Sequence, residues 1–131
     1  MLANIFGRYS DYALLVLRLF TGGVFVAHGA FKLFGGLPVF ELFMMQHGVP
    51  FARVIAPLIA GVEFLGGVAL ILGLGTRMAA LLLVCVMVVA MISVTLRMGF
   101  AGGYDLNLAL LGGLLTLLLA GPGKVAHGGD L

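Results

Sequence analysis

The fold class of this chain follows from residues 54–74, VIAPLIAGVEFLGGVALILGL, an apolar run that contains a single charged residue, Glu63. As a helix this run is about 31 Å long at 1.5 Å per residue, which is enough to cross the hydrocarbon core of a bilayer. Glu63 then lies roughly 14 Å from either end of the helix. Because an isolated carboxylate in hydrocarbon must be neutralised, paired or hydrated, Glu63 predicts a functional site with a partner elsewhere in the chain.

The composition of the chain indicates an integral membrane protein. Of its 131 residues, 63% are hydrophobic and only 9% are charged, which is outside the usual range of soluble domains. The seven basic residues are scattered along the sequence, so no nucleic-acid partner is predicted. Cys85 is the only cysteine, so the chain by itself can form neither an intrachain disulfide nor a dithiol centre.

Four membrane spans are predicted in one domain over residues 1–131, at residues 11–33, 53–74, 77–96 and 105–120. Ser10 and Asp11 are the candidate N-caps of the first span. Residues 39–47 are too short to cross a bilayer and too apolar for a free loop, so they predict a short interfacial helix. The other connections are short, which makes neighbouring spans antiparallel. The predicted fold is an all-α membrane protein, an antiparallel bundle of four transmembrane helices.

Small residues and basic residues add two further predictions about the bundle. Seven glycines in the spans predict close packing between helices: Gly22, Gly23, Gly61, Gly66, Gly67, Gly112 and Gly113. An even number of spans places both termini on one side. Without Arg18, the side of the membrane with the termini and the opposite side carry three basic residues each. Arg18 adds a fourth to the side with the termini, and basic residues are enriched on the cytoplasmic side, so we expect both termini in the cytoplasm.

A charged cluster is predicted between the first and second spans. On a helix, Arg18 and Lys32 fall on one stripe that also carries glycines, and His28 lies one turn before Lys32. If the two spans pack antiparallel, Glu63 reaches a level between Arg18 and His28. Arg18 is then the expected ion-pair partner, because a guanidinium can bind a carboxylate with two hydrogen bonds, and His28 is an alternative proton acceptor.

Two interpretations of this cluster stay open. In the first, a buried pair of Arg18 and Glu63 only fixes the helix register, while Lys32 extends to the lipid headgroups. In the second, the cluster Arg18, His28, Lys32 and Glu63 binds or relays something, because charges are rarely kept inside membranes without a function. No second histidine lies at ligand spacing from His28, so no metal site and no haem site are predicted.

A secondary group of candidate residues flanks the connection between the third and fourth spans: Arg97, Tyr104, Asp105 and Asn107. The group is interpreted either as an interfacial anchor or as the lining of a pocket mouth. The sequence also has no flavin or nucleotide motif. It therefore predicts no self-contained redox centre and no covalently bound cofactor, and it leaves open whether this chain carries out a reaction.

The order of these motifs resembles the DoxX and DoxD-like family of small bacterial membrane proteins with four spans. The matching residues extend over nearly the whole chain: Arg18, His28, Gly29, Lys32, Gly48, Val49, Pro50, Glu63, Gly66, Gly67, Gly73, Leu74, Gly75, Thr76, Arg77, Gly121, Pro122, Gly123 and Asp130. Two positions depart from the family pattern. Asp105 stands where many relatives carry glutamate, and residues 126–129 replace the usual serine before Asp130.

The resemblance implies a four-helix bundle in the bacterial cytoplasmic membrane. For some relatives it also implies membership of quinone-linked oxidoreductase systems, such as thiosulfate oxidation, or of membrane complexes against oxidative stress. The leading hypothesis is a subunit or accessory of such a system, in which donors from Arg18, His28 and Lys32 and an apolar wall bind a quinone. The expected partners are the lipid bilayer, other membrane or peripheral redox proteins, and further copies of the chain.

Two other functions remain open from the residues alone. A small proton-coupled transporter could use Glu63 as its exchanging carboxylate, although neighbouring cations would hinder a proton cycle. A non-catalytic scaffold could pack against partner membrane proteins through its glycine-rich faces.

Overall fold

The computed structural model describes residues 1–128, and this part of the chain is helical without any strand. Four of its helical stretches are long and apolar enough to cross a membrane. The prediction of an all-α protein with four candidate spans is confirmed. Asp130, the last residue of the family pattern, lies outside the described residues.

Six α-helices follow one another within residues 1–128: α1 Leu2–Phe6, α2 Ala13–Phe31, α3 Leu37–Gln46, α4 Ala52–Leu72, α5 Thr76–Ser93 and α6 Asp105–Ala120. The turn between α4 and α5 is tight because Gly73 and Gly75 both adopt left-handed backbone angles, with φ of 70° and 50°. Helices α2, α4, α5 and α6 form the bundle. Each of them packs against the next, and α6 returns to contact α2.

The closest helix contact joins α2 and α4. A Cβ atom built on Gly67 would lie 2.7 Å from the carbonyl oxygen of Gly22, and one built on Gly29 would lie 2.5 Å from the amide nitrogen of Phe64. Only glycine permits such an approach, so the predicted role of Gly22 and Gly67 in packing is confirmed. The packing prediction is wrong for Gly23, Gly61 and Gly112, because a Cβ atom built on any of them would have no packing neighbour within 4 Å.

The packed core occupies the half of the bundle that is nearer the termini. It consists of the late part of α4, the early part of α5 and the late part of α6, together with the middle of α2: Phe25, Leu70, Ala79, Ala80, Leu83, Met87, Leu114 and Leu117. In the opposite half, the same four helices enclose a cavity instead. The bundle is therefore solid at one end and open at the other.

Helix α3 lies where a short helix was predicted, but it follows α2 through a kink. The helical path breaks at Phe34 and at Gly35, whose φ of 147° is open to glycine alone. Met44 on α3 then packs against Ala52 and Ala56 at the start of α4. This contact holds α3 beside the open half of the bundle.

Two predicted boundaries are wrong. Ser10 and Asp11 do not cap the first span, because Gly7–Tyr12 already form a 3-10 helix, and the Asp11 carboxylate instead accepts a hydrogen bond from Lys124 Nζ at 2.6 Å. The third span ends at Ser93 and not at residue 96, because Val94 leaves the helix with a φ of −133°. The residues that follow form short turns, Thr95–Met98 and Phe100–Tyr104, at the open end of the bundle.

The glycine contact between α2 and α4 predicts unequal effects for two alanine substitutions on α4. Gly67→Ala should lower the free energy of unfolding by about 1–3 kcal/mol, because the new Cβ overpacks the α2 backbone. Gly61→Ala is the matched control and should stay within about 0.5 kcal/mol of the parent. Thermal unfolding in detergent, followed by circular dichroism, measures both. Equal stability of the two variants would contradict the observed helix contact.

Candidate functional site

A cavity of about 810 Å³ lies in the open half of the bundle, within the size range of small-molecule sites. All four bundle helices contribute to its wall, together with α3 and the loops that follow α3 and α5. Most lining residues are apolar. The polar and charged ones are His28, Lys32, His47, Glu63, Ser93, Thr95, Arg97, Asp105 and Asn107.

Glu63 is paired with Lys32 at the inner part of this cavity. Lys32 Nζ donates to Glu63 Oε2 at 2.7 Å and to Oε1 at 3.0 Å. The Glu63 side chain is only 4% exposed and that of Lys32 is 17% exposed. The Lys32 ammonium also lies 4.3 Å from the centre of the Phe40 ring, which α3 places over it. The buried carboxylate is therefore neutralised by a cation from the end of the first span.

The predicted ion pair between Arg18 and Glu63 is wrong. Contacts of Gly22 with Gly67 and of Gly29 with Phe64 place Glu63 at the level of residues near 30 on α2. Arg18 is about 12 residues earlier on the same helix, which corresponds to roughly 18 Å along its axis. The error was one of helix register. Lys32 therefore does not extend to the headgroups, as one interpretation expected, but folds back onto Glu63.

Arg18 lies at the solid end of the bundle. Its guanidinium donates a hydrogen bond from Nη2 to the Val125 carbonyl oxygen and lies against Gly73, where a Cβ atom would collide with Nη1. The residue is 1% exposed, and within residues 1–128 its Nε and Nη1 have no hydrogen-bond partner. Arg18 is thus separated from the other three members of the predicted cluster.

His28 lies on the cavity wall together with Lys32 and Glu63. Its Nδ1 donates a hydrogen bond to the carbonyl oxygen of Val24 at 2.8 Å, one turn earlier on α2. No hydrogen bond joins His28 to Glu63 among the described residues. The ring is therefore held by its own helix, and the residue is exposed.

Three of the four secondary residues line the same cavity: Arg97, Asp105 and Asn107. The Asp105 carboxylate accepts hydrogen bonds from the amides of Gly102 at 3.2 Å and Leu106 at 2.8 Å, so it orders the loop before α6. Asn107 is buried, and its Nδ2 donates to Met87 Sδ at 3.6 Å. The predicted charged cluster and the secondary group, which are far apart in the sequence, therefore contribute residues to one pocket.

Tyr104 is the secondary residue that the structure does not bring to the cavity. Its ring instead contacts Phe100 edge to face, with the ring centres 5.4 Å apart. Sequence reasoning also missed His47 and Thr95, which do line the cavity. The position of His47 beside the Gly48, Val49, Pro50 motif was a usable signal, whereas nothing in the sequence marks Thr95.

The inner part of the cavity is suited to a neutral ligand with polar oxygen atoms and an apolar body, whereas Arg97 adds a positive charge elsewhere in the lining. The charges of Lys32 and Glu63 compensate each other, so the inner cavity does not demand an ionic ligand. Among residues 1–128, no group of three or more His, Cys, Asp and Glu side chains could hold a metal ion. Directional hydrogen bonds within an apolar wall are the recognition chemistry that this pocket offers.

The pairing of Glu63 is testable with double-mutant cycles. Glu63→Gln leaves the Lys32 ammonium buried without its carboxylate and should cost about 3 kcal/mol of unfolding free energy. Combined with Lys32→Met, its effect should be non-additive by about 1–3 kcal/mol, whereas combined with Arg18→Met it should add within about 0.5 kcal/mol. Unfolding in detergent provides the measurement. Coupling to Arg18 and not to Lys32 would contradict the observed pairing.

Two comparisons with known proteins identify relatives of this chain. The sequence profile of the DoxX family matches residues 13–96, more than half of the chain. A protein of Bacillus subtilis (strain 168) named "Putative oxidoreductase CatD" is 35% identical over 107 residues, which cover 82% of this chain and 78% of that relative. No solved structure matches the chain. Because the family profile covers more than half of the chain and this relative aligns with most of it, the chain belongs to the DoxX family.

Proposed function

We propose that this protein is a membrane subunit or accessory of a quinone-linked oxidoreductase or of an oxidative-stress complex, and that its cavity binds a quinone-like ligand. The observation that carries the proposal is the cavity of about 810 Å³, which combines an apolar wall with a small set of hydrogen-bonding groups inside a membrane bundle. A lipid-soluble ring with polar oxygen atoms is the class of ligand that fits this combination.

The residues present fit the head group of such a ligand. The Lys32 ammonium has three N–H donors, more than its contact with one carboxylate requires, so it can also donate to a ligand oxygen. The Thr95 hydroxyl oxygen is buried without a hydrogen-bond partner in the described part of the chain. Such an orphaned polar group is costly unless something binds it. Phe25, Phe40 and Phe43 supply aromatic surface along the same wall.

Each polar residue has a distinct role in this proposal. A bound quinone supplies the capacity to carry two electrons and two protons. Glu63 holds the Lys32 ammonium in the cavity and cancels its charge, so Lys32 can donate a hydrogen bond without attracting anions. Asn107, buried beside Met87, offers its carboxamide from the opposite helix. The electrons themselves come from a partner protein, since the sequence contains one cysteine and no flavin or nucleotide motif.

The comparisons support an oxidoreductase system as the setting. The relative from Bacillus subtilis carries the word oxidoreductase in its name, and it aligns with most of this chain. For this protein, that setting is part of the proposal. The proposal also includes a bacterial cytoplasmic membrane with both termini in the cytoplasm, which directs the cavity towards the outer half of the bilayer.

The pairing of Glu63 weighs against the proton-coupled transporter. Glu63 accepts two hydrogen bonds from Lys32, so each proton cycle would first have to break this pair inside the bundle. The scaffold hypothesis does not account for a cavity lined by nine polar or charged residues. Both functions are therefore less well supported than a ligand site.

Blocking the cavity tests the proposed function. We expect the purified protein in nanodiscs to bind a decyl-tailed benzoquinone, as measured by isothermal titration calorimetry. Ala90→Trp places an indole in the cavity from α5 and should weaken binding by at least roughly tenfold, about 1.4 kcal/mol. Val88→Trp is the matched control on the exposed face of α5 and should bind like the parent. Equal binding by both variants, or none by the parent, would overturn the proposal.

The role of Glu63 gives a second test. Glu63→Gln should weaken binding of the same benzoquinone by more than its loss of thermal stability explains, because the Lys32 ammonium is then no longer held in position. Calorimetry at a temperature well below the unfolding midpoint separates the two effects. If a folded Glu63→Gln protein binds the benzoquinone with unchanged affinity, the Lys32 and Glu63 pair has a structural role and no role in ligand binding.

A further inference from the structure

We propose that Arg18 forms a second binding site of this protein, for a phosphate group, and that residues 121–128, the strap, open to admit it. The site lies at the solid end of the bundle. It is therefore independent of the cavity and of the ligand proposed for the cavity.

The guanidinium of Arg18 is a buried cation without a counter-charge among residues 1–128. The residue is 1% exposed, and its Nε and Nη1 have no hydrogen-bond partner in this part of the chain. Its Nη2 donates to the carbonyl oxygen of Val125, which is neutral. A buried water molecule can accept a hydrogen bond from the other two atoms, but it does not neutralise the charge. Because an uncompensated buried charge is strongly destabilising, the site requires an anion.

The carboxylates of the described residues do not supply this anion. Asp11 lies at the same end of the bundle, but its carboxylate is paired with Lys124 Nζ at 2.6 Å. The other described carboxylates lie on α3 or line the cavity of the open half: Glu41, Glu63 and Asp105. Arg18 is therefore a cation that the packed bundle buries without providing a partner of opposite charge from residues 1–128.

A second unpartnered donor lies at the same turn. Arg18 packs against Gly73, where a Cβ atom would collide with Nη1, so this glycine admits the guanidinium to the turn between α4 and α5. Thr76 follows three residues later, is fully buried, and its hydroxyl has no hydrogen-bond partner in the described part of the chain. A guanidinium and a hydroxyl together need several acceptor oxygens, which a phosphate group carries on one centre.

The depth of Arg18 in the membrane matches that of lipid phosphates. Gly73 directly follows α4, whose 21 residues are about 31 Å long, close to the thickness of the hydrocarbon core. A side chain packed against Gly73 therefore lies at the boundary between hydrocarbon and headgroups. A phosphate group reaches this boundary either on a lipid headgroup or as a free ion from solution, and the recognition chemistry is the same for both.

The strap covers Arg18 in the structure. After α6 ends at Ala120, the chain returns without forming a helix and passes over α2 and the turn between α4 and α5. The Val125 carbonyl faces the guanidinium, and a Cβ atom built on Gly73 would lie 2.9 Å from Ala126 Cα. A ligand therefore reaches Arg18 only when this part of the strap moves away.

Few contacts hold the strap over Arg18. Two backbone hydrogen bonds, of 3.3 Å and 3.1 Å, join it to the carbonyl oxygens of Leu72 and Gly73. The side chains of Lys124 and Asp11 are 70% and 54% exposed, so their ion pair adds little stability. A hydrogen bond from a guanidinium to a charged oxygen is stronger than one to a neutral carbonyl. Replacing the Val125 carbonyl by a phosphate oxygen therefore favours the open strap.

Calorimetry tests the site with the protein in dodecyl maltoside, a detergent without phosphate. Inorganic phosphate and the water-soluble lipid dihexanoyl phosphatidylglycerol are titrated separately, with chloride at equal ionic strength as the reference. The parent should bind at least one of these probes, and Arg18→Met should weaken this binding at least roughly tenfold. Arg53→Met is the matched control at an exposed arginine on α4 and should bind like the parent.

The two probes distinguish the sources of the phosphate group. Tighter binding of the lipid identifies a headgroup as the ligand, whereas equal or tighter binding of inorganic phosphate identifies the free ion. If neither probe binds more tightly than chloride, or if both arginine variants lose binding equally, the site at Arg18 is overturned. Each of these results leaves the function proposed for the cavity unaffected.

Opening of the strap gives a measurement that keeps Arg18 intact. Ala126→Cys, combined with Cys85→Ser, places a half-buried thiol on the strap beside Gly73. At saturating phosphate this thiol should react with a maleimide at least roughly tenfold faster, because the strap then spends more time open. The native Cys85 of the parent, which is exposed, is the control and should react equally with and without phosphate. An unchanged rate at position 126 would contradict the opening of the strap.

Discussion

The backbone contact between α2 and α4 organises both the bundle and its cavity. In a bilayer, helices gain little from burying apolar side chains, so they associate through close packing and polar contacts. Gly22, Gly29 and Gly67 permit the two backbones to meet, and a Cβ at any of them would clash. This contact fixes the axial register of the two helices. The register in turn decides which cation reaches Glu63.

The Lys32 and Glu63 pair connects this helix contact to the cavity. Lys32 is the first residue of the kinked turn that follows α2, and Phe40 of α3 lies over its ammonium. The residues that end the first span therefore also shape the wall of the pocket. A pair that is charged but neutral overall can remain in a membrane bundle while its spare N–H stays available. The pair thereby provides both a helix contact and a recognition group.

The distribution of residue sizes along the helices explains why one half of the bundle is solid. Near the termini, Leu70, Leu83, Leu114 and Leu117 are fully buried and fill the space between the helices. In the other half, Asn107 and the small residues Ala90 and Ser93 face a space that α3 and the loop after α5 border without filling. Arg18 belongs to the solid half, where a carbonyl oxygen of the C-terminal segment accepts its hydrogen bond. The spatial separation of Arg18 from Glu63 thus follows from the way in which the two halves are built.

The amino-acid sequence was sufficient to predict the membrane class, the four spans, the short helix between the first two and the need of Glu63 for a partner. Long apolar runs have one stable outcome in a bilayer, and a carboxylate within such a run needs a partner. The packed bundle was needed to show that this partner is Lys32, and that Arg97, Asp105 and Asn107 share its cavity while Arg18 and Tyr104 do not. Periodicity places residues on a helix face, but it does not reveal how far one helix slides along another, and this axial position separates Arg18 from the level of Glu63 by roughly 18 Å. Loop residues such as Thr95 carry no periodic signal at all, so their position depends on the packed bundle.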